Sequence, residues 1–324
     1  MRYPLLLSPA FKDYLWGGER LKTEYHKQTD LTPLAESWEL SCHPDGNSRV
    51  KNGSFQGMAL AEVVAQHPDF VGAGFSKGED FPLLIKLIDA KDRLSVQVHP
   101  DDEYARRVEH SAGKTEMWYI VDCDPGATLI YGFKKALTRQ ELRERIESNT
   151  LMEAVNEVPV HKGDVFFIEA TTLHAIGKGI LIAEIQQNSN VTYRVYDYGR
   201  KDAAGRPRPL HIDKAVEVVD RRPAAPPKVS RPSLRHEGAE ETLLQTCRYF
   251  TVRHVRLSGG ADFSVGAESF RHLLILDGRG ELRWQGEPVP FGKGDSLFLP
   301  AGLGGYRLEG NAAFLLTAAG PEEA

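Results

Sequence analysis

The sequence predicts a mainly β protein built of two jelly-roll β-barrels, with a small helical segment inserted in the first. Three observations lead to this prediction. Short runs of branched and aromatic residues alternate with Gly, Pro, Asn and Asp along most of the chain. A proline-rich stretch divides the chain, and each side of it contains a Gly-Asp turn followed by an apolar run, at 163–168 and 294–299.

The elements before the helical segment are predicted from their periodicity. Residues 36–41 alternate as a strand does, and 58–67 has the spacing of a short amphipathic helix that Pro68 ends. The apolar run 82–89 is rich in branched residues and predicts a buried strand, and 117–121 predicts another.

The helical segment is predicted over 138–155, with a helix from Arg139 to Glu147 that has Thr138 as N-cap and Glu141 at the capping-box position. Beyond it, short strands are predicted at 163–168, 179–185, 191–196, 250–257, 272–276, 281–284, 296–299 and 313–317.

The domain boundary is placed at the proline-rich stretch, because four prolines in residues 221–232 exclude a sheet interior. We therefore predict a metal-binding first domain over 1–222, a linker over 223–232, and a second β domain over 233–324.

Composition excludes several classes of function. Lys and Arg number 40 against 45 Asp and Glu, and no basic run occurs, so nucleic acid and anionic membranes are not expected partners. The three leucines at 5–7 are too few for a signal-peptide core or a membrane span. Three widely spaced cysteines favour reduced thiols in a cytoplasmic protein, and they leave metal binding to His and carboxylate.

Four residues form a candidate metal site. Gln97 and His99 are two apart, so on a strand their side chains point to the same face. Glu116 follows at the distance of a neighbouring strand, and His174 lies behind a later strand and turn. These nitrogen and oxygen ligands suit a divalent transition metal, most simply Zn²⁺, although water could replace the neutral amide of Gln97.

Both halves resemble the cupin superfamily, whose pattern is Gly, Pro six residues later, Gly at eight and a metal-binding His at eleven. Eleven residues past Gly163 is His174, although Glu169 and Thr171 replace the Pro and the second Gly. In the second half the pattern holds until Gly305, which occupies the place of the histidine. The resemblance implies two cupin barrels, the first with a metal and the second without one.

Three motifs, residues 94–102, 113–119 and 185–197, resemble the type I mannose-6-phosphate isomerases, and most of all their short bacterial class. The resemblance spans nearly the whole chain. It implies interconversion of mannose 6-phosphate and fructose 6-phosphate with one zinc per chain. It also implies that Gln97, His99, Glu116 and His174 bind the zinc and that Arg194 is the catalytic arginine.

The chemistry of such a reaction assigns further roles. A proton moves between C1 and C2 through a cis-enediol, and a guanidinium such as Arg194 stabilises the developing negative charge. Glu184 is our candidate for the base, and its alternative role is that of an ion-pair partner orienting Arg194.

The phosphate must be bound by side chains, since the chain has no Gly-rich phosphate loop. Lys86, Lys114, Ser95 and Arg200 match family positions that line the substrate pocket. Lys114 is the first candidate because it lies two residues from Glu116, whereas Lys86 has the alternative of a surface lysine.

Two other functions remain open at this point: isomerisation of a related aldose or aldose phosphate, and sugar binding without catalysis. A small-molecule sugar phosphate is the expected substrate, and the chain is expected to be a monomer or a homodimer.

Overall fold

The structure is a computed structural model that describes residues 2–75, 78–201, 205–224 and 232–322. It is mainly β, as predicted. The chain divides into two compact units. The terminal unit contains Met1–Lys12, Glu19–Leu87 and Val229–Ala324, and the central unit contains Asp13–Gly18 and Ile88–Lys228.

The terminal unit is built on one large antiparallel sheet. Its strands, in spatial order, are Ser233–His236, Ala239–Thr246, Phe250–Val265, Gly304–Ala319, Arg271–Arg283, Ser296–Leu299, Leu5–Ser8 and Arg49–Val50, with Val289–Gly292 beside Arg271–Arg283. Smaller elements of this unit are Ala10–Lys12 paired with Glu36–Leu40, Cys42–His43 paired with Gly46–Asn47, the helices Arg20–Thr23 and Leu60–Gln66, and the 3-10 turns Gly53–Phe55 and Pro68–Phe70.

The N-terminal strand joins the C-terminal part of the chain. Leu5–Ser8 pairs antiparallel with Ser296–Leu299, and the buried Leu5 lies opposite Phe298. The compact units are therefore divided differently from the predicted boundaries 1–222 and 233–324, because a terminal strand completes a sheet whose other strands come last in the chain. Of the predicted linker 223–232, residues 225–231 lie outside the described residues.

Two predicted strands of this unit form one continuous strand. The predictions 272–276 and 281–284 correspond to the single strand Arg271–Arg283. The intervening Gly278 has φ +79 and lies beside a register shift, so the glycine accommodates a β-bulge rather than a turn.

The central unit contains two sheets. One has five strands in the order Val155–Pro159, Thr128–Phe133, His174–Ala175, Val96–Val98 and Tyr193–Tyr196. In the other, Glu116–Cys123 lies between Val165–Ile168 and Ile180–Gln187. In the described part of the chain neither sheet closes on itself, so the predicted barrels are open structures of facing sheets. Strand Leu83–Ala90 contributes residues to both units.

Strand alternation separates the core of the central unit from its polar interior. Val96 and Val98 face a core of Tyr193, Val195 and the apolar sides of the helices, while Gln97 between them points to the opposite face. The helices of this unit are Asp102–Val108, Arg139–Glu147 and Ile212–Val218, with a 3-10 turn at Leu151–Glu153.

The predicted N-cap of the helical segment is confirmed. The hydroxyl of Thr138 accepts from the backbone N–H of Glu141, and the Glu141 carboxylate accepts from the N–H of Thr138. The helix is Arg139–Glu147, as predicted, and the rest of the predicted helical segment 138–155 contains only the 3-10 turn Leu151–Glu153. Helices Asp102–Val108 and Ile212–Val218 were not predicted, because seven residues are too few for a clear period.

None of the helices in the described residues is long and apolar enough to cross a membrane.

Candidate active site

Three predicted site residues form a row across the five-stranded sheet. His174 lies directly opposite Gln97 on one side, and Arg194 lies opposite Gln97 on the other. Directly opposed residues of antiparallel strands project to the same face. The amide of Gln97 is therefore flanked by an imidazole and a guanidinium within the central unit.

The second sheet presents a facing set of side chains. Glu116 lies opposite Gln186, and Trp118 lies opposite Glu184, so these four side chains share one face. All four are buried. The indole of Trp118 lies edge-on to the imidazole of His174, with ring centres 5.3 Å apart. This contact brings the polar faces of the two sheets together.

The result is a compact cluster of three candidate metal ligands. One ligand atom from each of His99, Glu116 and His174 lies within 4.8 Å of the others, and all three residues are buried. The Nε2 atoms of the two histidines are 3.1 Å apart. The Glu116 carboxylate lies 3.6 Å from His99 Nε2 and 3.4 Å from His174 Nε2.

The tautomers of the two histidines point to a cation between them. His99 Nδ1 donates to the carbonyl of Val191 and His174 Nδ1 donates to the carbonyl of Thr172, both at 2.8 Å. Each Nε2 is then an unprotonated lone pair directed into the cluster. Two lone pairs facing each other at this distance repel unless a cation or a proton donor lies between or beside them.

The spacing also fits a tetrahedral metal. Nitrogen ligands about 2.0–2.1 Å from a tetrahedral Zn²⁺ are about 3.3–3.4 Å apart, close to the separations in this cluster. The Gln97 amide lies 3.4 Å from His174 Nε2, and rotation of the amide brings its oxygen, the ligating atom, to this position. Burial lowers the pKa of His174 to about 4, which keeps this ligand neutral at pH 7.

Lys114 lies at the edge of the cluster. Its buried ammonium is 2.9 Å from a Glu116 oxygen and 3.1 Å from His99 Nε2. The preceding residue is held against a helix N-terminus, since the N–H of Gly113 donates to the Asp102 carboxylate at 3.0 Å. A Cβ at position 113 would come within 2.5 Å of the Asp102 nitrogen, so only glycine allows this approach. Gly113 therefore sets the direction of Lys114.

The turn before His174 explains the departure from the cupin pattern. Gly163 and Gly294 have φ of +90 and +89, and Thr171 and Gly302, each eight residues later, have φ of +77 and +72. Thr171 thus takes the left-handed conformation that glycine has in the second copy, at a cost of about 1–3 kcal/mol for a β-branched residue. Its N–H donates to the carbonyl of His99 at 2.7 Å, which ties the turn to a candidate ligand.

Arg194 is partly buried beside this cluster. Its Nη1 donates to the carbonyl of Pro209 at 3.0 Å, and its buried Nε has no hydrogen-bond partner among the described residues. Burial lowers the pKa of Arg194, and the positive charges of Arg208 and Arg200 lower it further. The guanidinium therefore retains a donor that is available to a further group.

Glu184 is held by the indole of Trp118, whose Nε1 donates to the carboxylate at 2.9 Å. The carboxylate is buried and close enough to His174 to act on its pKa. Both roles considered for Glu184, base and ion-pair partner of Arg194, stay predictions.

The remaining predicted residues lie in different surroundings. Ser95 is buried directly before strand Val96–Val98, and Arg200 donates to the carboxylate of Asp197. Lys86 belongs to the terminal unit, where it lies 3.8 Å from Glu36 and 5.1 Å from the ring centre of Trp38. Its burial excludes the alternative of a surface lysine.

Sequence reasoning missed Asp197, Arg208 and the indole N–H of Trp118. Trp118 and Asp197 lie within the motifs that carried the family resemblance, but nothing in one sequence indicates their partners. Arg208 lies outside those motifs.

Known proteins resemble this chain throughout its length. The profile of phosphomannose isomerase type I, catalytic domain, matches residues 5–123, and that of mannose-6-phosphate isomerase, cupin domain, matches residues 239–318. Mannose-6-phosphate isomerase ManA of Bacillus subtilis is 42% identical over 97% of this chain and 98% of its own length. Mannose-6-phosphate isomerase of Streptococcus mutans is 39% identical over 96% of both chains.

Solved structures agree with the sequence comparisons. The crystal structure of mannose 6-phosphate isomerase from Bacillus subtilis superposes with a TM-score of 0.90 and 36% identity, covering 97% of this chain and 99% of that one. A putative mannosephosphate isomerase from Archaeoglobus fulgidus, 22% identical with a TM-score of 0.78, shares the fold over 99% of this chain and 98% of its own.

Proposed function

Because the chain belongs to the type I phosphomannose isomerase family, we propose that it interconverts D-mannose 6-phosphate and D-fructose 6-phosphate in a zinc-dependent reaction. The observation that carries the proposal is the convergence of His99, Glu116 and His174 on one point, with Arg194 in the same row of side chains. A catalytic centre of this kind needs both a metal and a permanent positive charge beside the reacting oxygens.

Gln97, His99, Glu116 and His174 would hold one Zn²⁺, and the donor set of imidazole, carboxylate and amide supports this metal. When bound, the ion supplies Lewis acidity that favours negative charge on the sugar oxygens. The backbone carbonyls that accept from both histidines keep their rings in the orientation that a ligand requires.

The chain's own side chains account for the proton transfer. Glu184 takes the proton from one carbon of the C1–C2 pair and returns it to the other, through a cis-enediol. Arg194 stabilises the enediol oxygens with its free Nε donor and stays charged throughout. The burial of Glu184 excludes bulk water, which would otherwise exchange with the carried proton.

The sugar phosphate is bound by cationic and hydroxyl side chains. Lys114 is directed at the cluster by its contact with Glu116 and is suited to a sugar oxygen near the reacting carbons. Ser95, Lys86 and Arg200 are proposed as further substrate contacts.

The free cysteines Cys42, Cys123 and Cys247 favour a reducing compartment, and we propose the cytoplasm.

The experiment is a coupled isomerase assay on purified protein with mannose 6-phosphate, before chelation, after chelation and after addition of Zn²⁺. Activity should fall with the metal content and return with it. Activity that persists after complete metal removal contradicts the zinc dependence. Comparison of kcat/KM for mannose 6-phosphate, other aldose phosphates and free mannose separates the family reaction from isomerisation of a related sugar. Sugar-phosphate binding without turnover by the zinc-loaded protein would instead favour the non-catalytic alternative.

A further inference from the structure

Two arginines share one buried carboxylate in the central unit. Arg208 donates to Asp197 through Nε at 2.7 Å and through Nη2 at 2.6 Å. Arg200 donates to the same carboxylate through Nε at 3.1 Å and also through Nη2. The Asp197 side chain is only 5% exposed. Burial raises the pKa of Asp197, but the hydrogen bonds from Arg208 and Arg200 outweigh it, so the pKa is lowered and the carboxylate stays ionised.

Both arginines line a cavity of about 240 Å³. Its other walls are an aromatic loop and one lysine, and its full lining is Asp13, Tyr14, Leu15, Trp16, Arg200, Lys201 and Arg208. The side chains of Arg200 and Arg208 are each about one-third exposed or less, so part of each remains accessible to a ligand. A volume of this size accommodates a small anionic group together with part of a sugar.

The cavity lies next to the row formed by Gln97, His174 and Arg194, because the residue after Arg208 contacts this row. The carbonyl of Pro209 accepts from Arg194, and Arg194 lies opposite Gln97 in the five-stranded sheet. The charges of Arg208 and Arg200 act on Arg194, which places the three guanidinium groups in one neighbourhood. A substrate whose reacting end lies at Gln97 and Arg194 can therefore extend towards Arg208.

The charges of this neighbourhood do not balance. Arg194, Arg200 and Arg208 carry three positive charges and Lys201 a fourth, against the two carboxylates of Asp197 and Asp13, which leaves an excess of two positive charges. One arginine would suffice to neutralise the Asp197 carboxylate, so the second leaves a positive charge that an anion can neutralise. A phosphate monoester carries about −1.5 to −2 at pH 7, which is the charge required, and guanidinium groups bind its oxygens in pairs.

We propose that Arg208 is a further phosphate-binding residue and that Asp197 is the positioning residue that holds Arg200 and Arg208 towards the cavity. The inference rests on the proposed function, since it names the place where the phosphate of the sugar phosphate is bound. Trp16 and Tyr14 form the aromatic side of the cavity, opposite in character to its arginines.

The test uses the zinc-loaded full-length protein and four variants. R208M removes the charge, R208K keeps the charge but not the paired donors, and D197N removes the positioning carboxylate. R222M is the matched control, because Arg222 also pairs with an aspartate of the central unit, Asp220, but is 84% exposed. Two quantities are measured: kinetics with mannose 6-phosphate, and the affinity for inorganic phosphate by calorimetric titration.

For R208M we expect KM and the dissociation constant of phosphate to rise about 10- to 100-fold, with kcat changed less than about 3-fold. R208K should lie between R208M and the native protein, and R222M should match the native protein. D197N is expected to weaken phosphate binding although it increases the net positive charge. Tighter phosphate binding by D197N would overturn the positioning role, because it would show that Asp197 only neutralises charge.

Equal KM and equal phosphate affinity in R208M and R222M would overturn the role of Arg208. If R208M loses its zinc or its cooperative thermal transition, R208K decides in its place: weakened phosphate binding supports the role, and unchanged binding overturns it. If the native protein does not isomerise mannose 6-phosphate, the proposed function fails. The phosphate titration still decides the assignment of Arg208 as an anion-binding residue in that case.

Discussion

Replacement of Trp118 by Phe tests the assignment of Glu184 as the base. The indole Nε1 donates to the Glu184 carboxylate at 2.9 Å in a buried environment, and Phe keeps a ring against His174 while it removes this donor. A hydrogen bond to a charged group contributes about 1.5–3 kcal/mol. Since 1.36 kcal/mol corresponds to one pKa unit, loss of the bond should move the ionisation of the carboxylate to a higher pH by about 1–2 units.

The assay is the pH dependence of kcat/KM for mannose 6-phosphate, measured for zinc-loaded native protein and Trp118→Phe. The base must be ionised to accept a proton, so the acid limb of the profile reports its protonation. We expect this limb to move upward by about 1–2 pH units, while the plateau changes much less. Trp284→Phe is the matched control, because the indole of Trp284 donates to a backbone carbonyl, that of Leu303, at 3.0 Å.

An acid limb that stays at the same pH in Trp118→Phe would refute the assignment, provided that zinc content is unchanged. Glu184 would then have no part in the titration that limits activity. A shift of equal size in Trp284→Phe would also count against the reasoning, since it would show a general effect of losing an indole.

Three further predictions follow from the site and the terminal unit. Arg194→Ala should lower kcat by about 10²- to 10³-fold while zinc measured by elemental analysis stays at the native level; surviving turnover would contradict the role of Arg194. Glu116→Ala should weaken zinc binding by more than about 100-fold, because it removes the anionic ligand from the cluster, and competition with a chromogenic chelator measures this. Burial lowers the pKa of His272 from its ordinary value of 6.5 to about 3 in the folded protein. As the pH falls below 6.5, the unfolded chain therefore binds a proton at this residue and the folded protein does not. The free energy of unfolding should therefore fall by about 2 kcal/mol from this residue between pH 6.5 and pH 5. Measured by urea denaturation, His272→Gln should lose less free energy of unfolding over this pH range than the native protein. The exposed control His161→Gln should lose as much as the native protein, and an equal loss in the two variants would contradict the prediction.

Local patterns in the sequence predicted the parts of the structure that depend on neighbours in the chain. Alternation in the motif around Gln97 predicted that its side chain and that of His99 share a face, and both lie beside His174. The capping box at Thr138 was predicted from four residues and is present. Such features need only adjacent dihedral angles and hydrogen bonds, which one sequence specifies.

Other parts of the structure depend on segments that meet only after folding. Nothing in residues 5–8 indicates that they pair with Ser296–Leu299. The approach of Arg208 to Asp197 is equally invisible, because no periodicity in the sequence relates two residues eleven positions apart. Thr171 shows a third limit, since the left-handed conformation usually indicated by glycine is adopted here by a β-branched residue.

The pairing of Leu5 with Phe298 has a consequence for synthesis on the ribosome. The chain grows at about 5–20 residues per second, so the N-terminal strand waits roughly 15–60 s for its partner. During that time the apolar strand Leu5–Ser8 is an unpaired edge that a chaperone or another nascent chain can bind. The central unit, by contrast, is complete once residue 228 has emerged, so the cluster of candidate metal ligands can assemble while the terminal sheet still lacks its last strands.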